Sequence, residues 1–110
     1  MTLDVQRILA LQAEHVARAV REVLATPPQG DHRTPWRGSG ALHDSIEAVS
    51  EGNKAVVGST SPAALAQEFG TEHMPPRPFL APTAAAHADD VVQAVAAEAV
   101  AQIRDALERR

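Results

Sequence analysis

The chain has 110 residues, no cysteine and a formal net charge of −4 at pH 7. This length suits one domain, and the absence of cysteine excludes disulfides and thiolate metal sites. The acidic balance argues against a general nucleic-acid binder, which would normally be basic. Much of the hydrophobic fraction of 45% is alanine, and aromatic residues make up only 3%. We therefore expect a single copy to bury little apolar area and to be marginally stable.

The first predicted element is an amphipathic helix over residues 3–25. Thr2 or Asp4 is a suitable N-cap, and the Pro27-Pro28 pair ends the helix, because a residue before proline leaves the helical region. Its apolar residues recur at spacings of three and four, as expected for one buried face: Val5, Ile8, Leu9, Val16, Val20, Val23 and Leu24.

A predicted flexible loop follows over about residues 26–40, which is long for a compact domain. It contains Trp36, the single tryptophan of the chain, next to Arg37. Either Trp36 covers the domain's own core, or it is an interface anchor, since Trp and Arg dominate interface hot spots. The basic residues of the loops, Arg33, Arg37 and Arg77, are either solvated charges or groups that pair with an acidic partner or contact passing DNA.

Two short apolar runs predict an antiparallel hairpin over about residues 45–59. Residues 40–46 form a turn that enters the first strand, and the strands 45–50 and 54–59 flank a three-residue loop that contains Gly52. A glycine-containing loop between two such runs is typical of a hairpin.

A short helix over residues 62–69 is predicted next. Ser61 is a natural N-cap, Pro62 suits the first helical position, and Gly70 is a natural C-terminal stop. Leu65 and Phe69 share one face because they are four residues apart.

The segment 67–80 stands out as a predicted rigid, proline-rich corner. It contains both phenylalanines of the chain, Phe69 and Phe79, and three of its eight prolines. Large aromatic side chains anchor cores or interfaces, and prolines fix the direction of the backbone.

A long final helix is predicted over residues 83–108, with Thr83 as its N-cap. Its narrow apolar stripe packs either on the domain's own sheet and first helix or also on a neighbouring subunit: Val92, Val95, Ala99, Ile103, Ala106 and Leu107. The predicted fold is therefore α+β, with two long helices, a small antiparallel sheet, a short helix and the corner.

The sequence carries no persuasive catalytic or metal-binding pattern. The five histidines lack the spacing of a metal site, so we interpret them as solvated surface residues. His43, Asp44 and Ser45 are the residue types of a hydrolase triad, but consecutive residues point in different directions. We expect no catalysis, no cofactor and no metal. The sequence also shows no signal peptide and no transmembrane stretch, which favours a soluble protein made in a cytoplasm.

Three pieces of the sequence, in order, carry a family resemblance. The first is Pro35 followed by a glycine, a leucine and a Ser-Ile pair within residues 40–46. The second is a strand that ends in Val-Gly-Ser at 57–59. The third, which is the most specific, has Glu-Phe-Gly-Thr at 68–71 and Arg-Pro-Phe at 77–79, ahead of a helix. Together they resemble the small head–tail joining proteins of long-tailed double-stranded DNA phages, the tail-completion or neck family.

This resemblance covers about residues 34–83 and implies a structural part of the virion without catalysis. Such proteins are expected to form rings, here a hexamer or a dodecamer, between head-closure (stopper) proteins and tail-tube or tail-terminator proteins. DNA would pass through the ring without specific binding, and assembly would take place in the host cytoplasm. The alternative is a small cytoplasmic module that binds proteins as a dimer.

The residues expected at the subunit or partner interface lie in the loop and the corner. They are Trp36, Arg37, Glu68, Phe69, Thr71, Met74, Arg77 and Phe79. For Phe69 and Phe79 the alternative is packing inside the domain's own core. For Glu68 and Arg77 it is an ion pair within the chain.

Overall fold

The computed structural model describes residues 2–25, 40–73 and 75–109. The elements within these ranges are α1 (Gln6–Ala25), α2 (Ala41–Asp44), β1 (Ile46–Glu51), β2 (Lys54–Ser59), α3 (Pro62–Phe69) and α4 (Leu80–Glu108). This confirms the predicted α+β class with two long helices and a small antiparallel sheet. Three expected interface residues, Trp36, Arg37 and Met74, lie outside the described residues, as does almost all of the predicted loop. None of the helices described is long and apolar enough to cross a membrane.

Helix α1 begins at Gln6, three residues later than predicted. The carboxylate of Asp4 accepts a hydrogen bond of 3.0 Å from the backbone amide of Gln6, so Asp4 satisfies one of the amides left free at the helix start. The buried positions of α1 recur every three or four residues and form the inward face that the sequence pattern predicted: Ala13, Ala17, Val20 and Leu24.

The hairpin is confirmed, but its loop is one residue shorter than predicted. Glu51 pairs directly with Lys54 across the two strands, which leaves Gly52 and Asn53 as the turn. Gly52 has a φ of 56°, a left-handed conformation that glycine adopts without steric cost and that two-residue hairpin turns require. The expected turn before β1 contains α2, a single helical turn that starts after Gly40.

Helix α4 begins at Leu80, three residues before the predicted start. Thr83 is therefore not its N-cap but a buried residue inside the first turns. Pro82 falls within the first turn, where a missing amide costs nothing. The sequence suggested a later start because Pro82-Thr83 resembles a helix entry, whereas the actual cap is the side chain of Glu68 on α3.

The core lies where α1 meets the hairpin, α2, α3 and the start of α4. Its buried side chains are Ala17, Val20, Leu24, Leu42, Ile46, Ala64 and Phe79. Helix α1 packs on both strands and on α4. The two long helices run antiparallel, because Phe79, next to the start of α4, shares this core with Leu24, near the end of α1. At the opposite end, Asp4 and Gln102 exchange two hydrogen bonds.

Candidate interface around the proline-rich corner

Glu68 holds the corner in place. Its Oε1 atom accepts hydrogen bonds of 2.5 Å from the backbone amides of both Phe79 and Leu80. These amides lie at the N-terminus of α4, where Phe79 provides no side-chain cap of its own. A carboxylate at this position satisfies amides that have no partner within the helix and interacts favourably with the helix dipole. Glu68 therefore joins the end of α3 to the start of α4.

Arg77 takes part in the corner through its backbone. Its amide donates a hydrogen bond of 2.6 Å to the carbonyl oxygen of Gln67. The ion pair between Glu68 and Arg77, considered from the sequence, is not formed, because Glu68 instead caps α4. Both ends of the segment from Arg77 to Leu80 are thus fastened to the last turn of α3, which makes this corner a defined scaffold rather than a loose connection.

The two phenylalanines of the corner have opposite surroundings. Phe79 is 0% exposed and belongs to the core, whereas Phe69 is 74% exposed. Phe79 therefore packs inside the domain's own core and has no exposed surface that a partner could contact. Phe69 does not pack in the core.

The exposure of Phe69 follows from the orientation of α3. Ala64 is buried and Glu68 reaches α4, so the face that carries these two residues points inward. Leu65 follows Ala64 in the sequence, and Phe69 follows Glu68. These two residues therefore lie about 100° around the helix from the inward face. Both are exposed, and we call them the α3 patch. Thr71, another expected interface residue, is exposed just beyond it, and its hydroxyl accepts a hydrogen bond from the backbone amide of His73.

An open apolar groove of about 340 Å³ adjoins the α3 patch. Val16 and Val20 of α1, Val57 of β2 and the first turns of α4 line it, and Phe69 and Glu68 also belong to its lining. The α3 patch and this groove together present one apolar surface around the corner. Exposed apolar surface of this kind commonly marks a site of protein–protein contact.

A second exposed apolar surface lies on the hairpin. Val49 and Val56 are directly opposite each other in the register of the two strands, and both are exposed. Their neighbours Ala48 and Val57 pack toward the core on the other face of the sheet. The sequence pattern did not single out this valine pair, although side chains alternate between the two faces of a strand, which predicts that one face of a two-stranded sheet remains uncovered.

The histidine-containing triplet does not form a catalytic arrangement. His43 contacts Asp44, with 2.8 Å between Nδ1 and Oδ1. The hydroxyl of Ser45 instead donates a hydrogen bond of 2.6 Å to the carbonyl of Leu42 and lies 2.6 Å from the hydroxyl of Ser59. In the described part of the chain, no group of three or more His, Asp or Glu side chains is placed to hold a metal ion.

Comparison with known proteins identifies no relative of this chain. No protein-family model matches the chain, and neither the curated proteins nor the solved structures include a significant match.

Proposed function

We propose that the chain is a structural subunit of the head–tail junction of a long-tailed double-stranded DNA phage. It forms a ring around the DNA channel and performs no catalysis. The observation that carries this proposal is the exposure of Phe69, a large apolar residue on a rigidly fastened corner. The same corner carries the most specific part of the sequence resemblance, at residues 68–71 and 77–79.

A closed ring needs two different surfaces on each subunit, because its contacts run head to tail. The α3 patch with its groove supplies one apolar surface, and the Val49–Val56 pair supplies another on a different element. In the ring, the corner of one subunit packs on the hairpin of the next. Burial of these side chains adds the apolar area that a small, alanine-rich core lacks.

The charge of the chain suits a channel through which DNA slides. A net charge of −4 disfavours tight binding to phosphates. The ring would be a hexamer or a dodecamer, placed between stopper proteins and tail-tube or tail-terminator proteins.

The deciding experiment is the mass of the purified protein in solution, measured by light scattering coupled to gel filtration. The protein is measured alone and with the tail-tube protein of the same phage. A ring-sized species, either alone or on addition of the tail tube, supports the proposal. A mass that stays below that of a ring in both conditions overturns it.

A matched pair of variants connects this experiment to the α3 patch. Phe69→Asp places a charge in the proposed contact and should abolish the ring. Glu72→Gln changes an exposed residue three positions away and should leave the ring intact. A ring that persists in Phe69→Asp would show that subunits contact each other elsewhere.

The second candidate function is a protein-binding module that is dimeric through its long helices. The observation that favours it is the set of exposed apolar residues on α4. A dimer whose mass is unchanged by the tail-tube protein would favour this module over the ring.

A further inference from the structure

An apolar trough runs between β2 and α4. The groove at the corner adjoins a smaller one of about 160 Å³, and the two share Val16 of α1 and Val57 of β2. Helix α1 forms the floor, because it packs both on the strands and on α4. We call the two grooves together the β2 trough. The other residues that line the smaller groove are Leu9, Gln12, Ala13, Ala55 and Val91.

The main chain of β2 lacks hydrogen-bond partners along the edge that faces away from β1. The carbonyl oxygen of Ile46 accepts a hydrogen bond from the Arg21 side chain, so the backbone groups of Ile46 point away from β2. Ile46 is opposite Ser59, and inward and outward positions alternate along an antiparallel pair. Ala55 and Val57 therefore turn their backbone groups outward, and within the described part of the chain these groups have no partner.

The same two residues of β2 also line the trough with their side chains. Ala55 and Val57 thus present unpaired backbone groups and apolar side chains at one place. An extended segment that lies along β2 pairs with these backbone groups, and every second side chain of the segment enters the trough. A helix satisfies its own backbone groups and would leave those of β2 unpaired. The combination of edge and trough therefore selects a strand.

The opposite edge of the sheet lacks this combination. The Arg21 side chain already occupies the carbonyl of Ile46 on β1. No residue of β1 lines either groove of the trough. Within the described sheet, addition of a strand is therefore favoured at β2.

We propose that the β2 trough binds an extended segment of another protein, which adds to the hairpin as a third strand. The segment runs antiparallel to β2, the more stable form of pairing. It pairs with about five residues, from Ala55 to the end of β2 at Ser59. Its alternate side chains are apolar, because Glu68 is the one charged residue among those that line the trough and its carboxylate already accepts two amides.

This site goes beyond the proposed ring contact. The ring contact is made by exposed side chains, those of the α3 patch and of the Val49–Val56 pair. Strand addition uses the main chain of β2 instead. It is measured on the purified chain without any tail protein, so its outcome is independent of the test of the ring.

Amide hydrogen exchange, followed by NMR on the full-length chain, tests the proposal. The probe is a synthetic peptide with alternating valines, Lys-Thr-Val-Thr-Val-Thr-Val-Lys. In the free protein the amides of Ala55 and Val57 should exchange rapidly, because they are unpaired. With the peptide in excess they should exchange more slowly by about twofold or more, the factor reached at half-occupancy. The control peptide is N-methylated at its valines, which keeps the side chains but removes the backbone donors that face β2, and it should have no effect.

A matched pair of proline variants locates the binding edge. Ala48 on β1 and Ala55 on β2 are both half-buried, and both turn their amides to an outer edge of the sheet, where proline is tolerated. Ala55→Pro should abolish the slowing at Val57, whereas Ala48→Pro should retain it.

Four outcomes overturn the proposal. They are unchanged exchange at both amides with the peptide, an equal effect of the methylated peptide, an equal effect of the peptide on both proline variants, and slow exchange at both amides before any peptide is added. The methylated peptide needs no variant, so the test holds even where a proline variant fails to fold.

Discussion

The carboxylate of Glu68 caps a helix that begins twelve residues later, through hydrogen bonds to the amides of Phe79 and Leu80. This contact connects the specific part of the sequence to a physical role. Glu68 fixes the start of α4, and the start of α4 in turn delivers Phe79 into the core. The Glu-Phe-Gly-Thr segment thus combines an inward-facing structural residue with an outward-facing aromatic residue.

Replacing Glu68 should destabilise the domain, because its carboxylate caps α4. Glu68→Ala leaves two amides at the α4 N-terminus without their partner, and we expect the free energy of unfolding to fall by about 1–3 kcal/mol. Glu68→Gln keeps an oxygen that accepts hydrogen bonds but loses the charge, so the loss should be smaller, about 0.3–1 kcal/mol. Urea denaturation measures both. Glu72→Ala serves as the exposed control and should be neutral. Equal stability of all three variants would show that the cap contributes nothing.

Substitutions of the two phenylalanines should have different effects, one on the stability of the fold and the other on ring assembly. Phe79→Ala empties a fully buried position and should cost about 3–5 kcal/mol, enough to unfold a small domain. Phe69→Ala removes an exposed side chain, so its free energy of unfolding should change by no more than about 0.5 kcal/mol, while the ring should be weakened. Thermal unfolding and light scattering on the same samples give the two readouts. A large loss of stability in Phe69→Ala would mean that this residue supports the fold rather than a partner.

Local pattern predicted every element except the single-turn helix α2, but contacts between distant residues decided the details. Periodicity and turn residues predicted both long helices, the hairpin and α3. The start of α4 was wrong because its cap, Glu68, lies on another helix. The difference in exposure between Phe69 and Phe79 depends on the burial of Ala64, because this burial sets which face of α3 is turned toward the core. Nothing in the sequence marks Ala64 as special. The predicted α4 stripe likewise divides into residues that face α1 and residues that remain exposed, because among residues 2–25, 40–73 and 75–109 only one side of α4 has a neighbour.

Gln67 offers a stabilising substitution. Its side-chain oxygen is buried and has no hydrogen-bond partner among the described residues, an arrangement that costs about 1–3 kcal/mol. Gln67→Met replaces the amide with an apolar group of similar length and keeps the backbone carbonyl that accepts from Arg77. We expect the free energy of unfolding to rise by about 1 kcal/mol, measured by urea denaturation. A decrease would show that the amide makes a favourable contact in solution.

The turn of the hairpin provides the most closely matched test of backbone conformation. A Cβ atom added to either Gly52 or Gly58 would have no other atom within 4 Å, so neither substitution to alanine introduces a clash. The two positions differ in that Gly52 has a positive φ of 56°, which alanine adopts only with strain, whereas Gly58 lies in β2 with an ordinary φ. Gly52→Ala should therefore lower the free energy of unfolding by about 1 kcal/mol. Gly58→Ala should be neutral or slightly stabilising, because alanine has less freedom to lose in a strand. Denaturant unfolding of both variants measures the difference, and equal stabilities would contradict a two-residue turn with a left-handed residue at position 52.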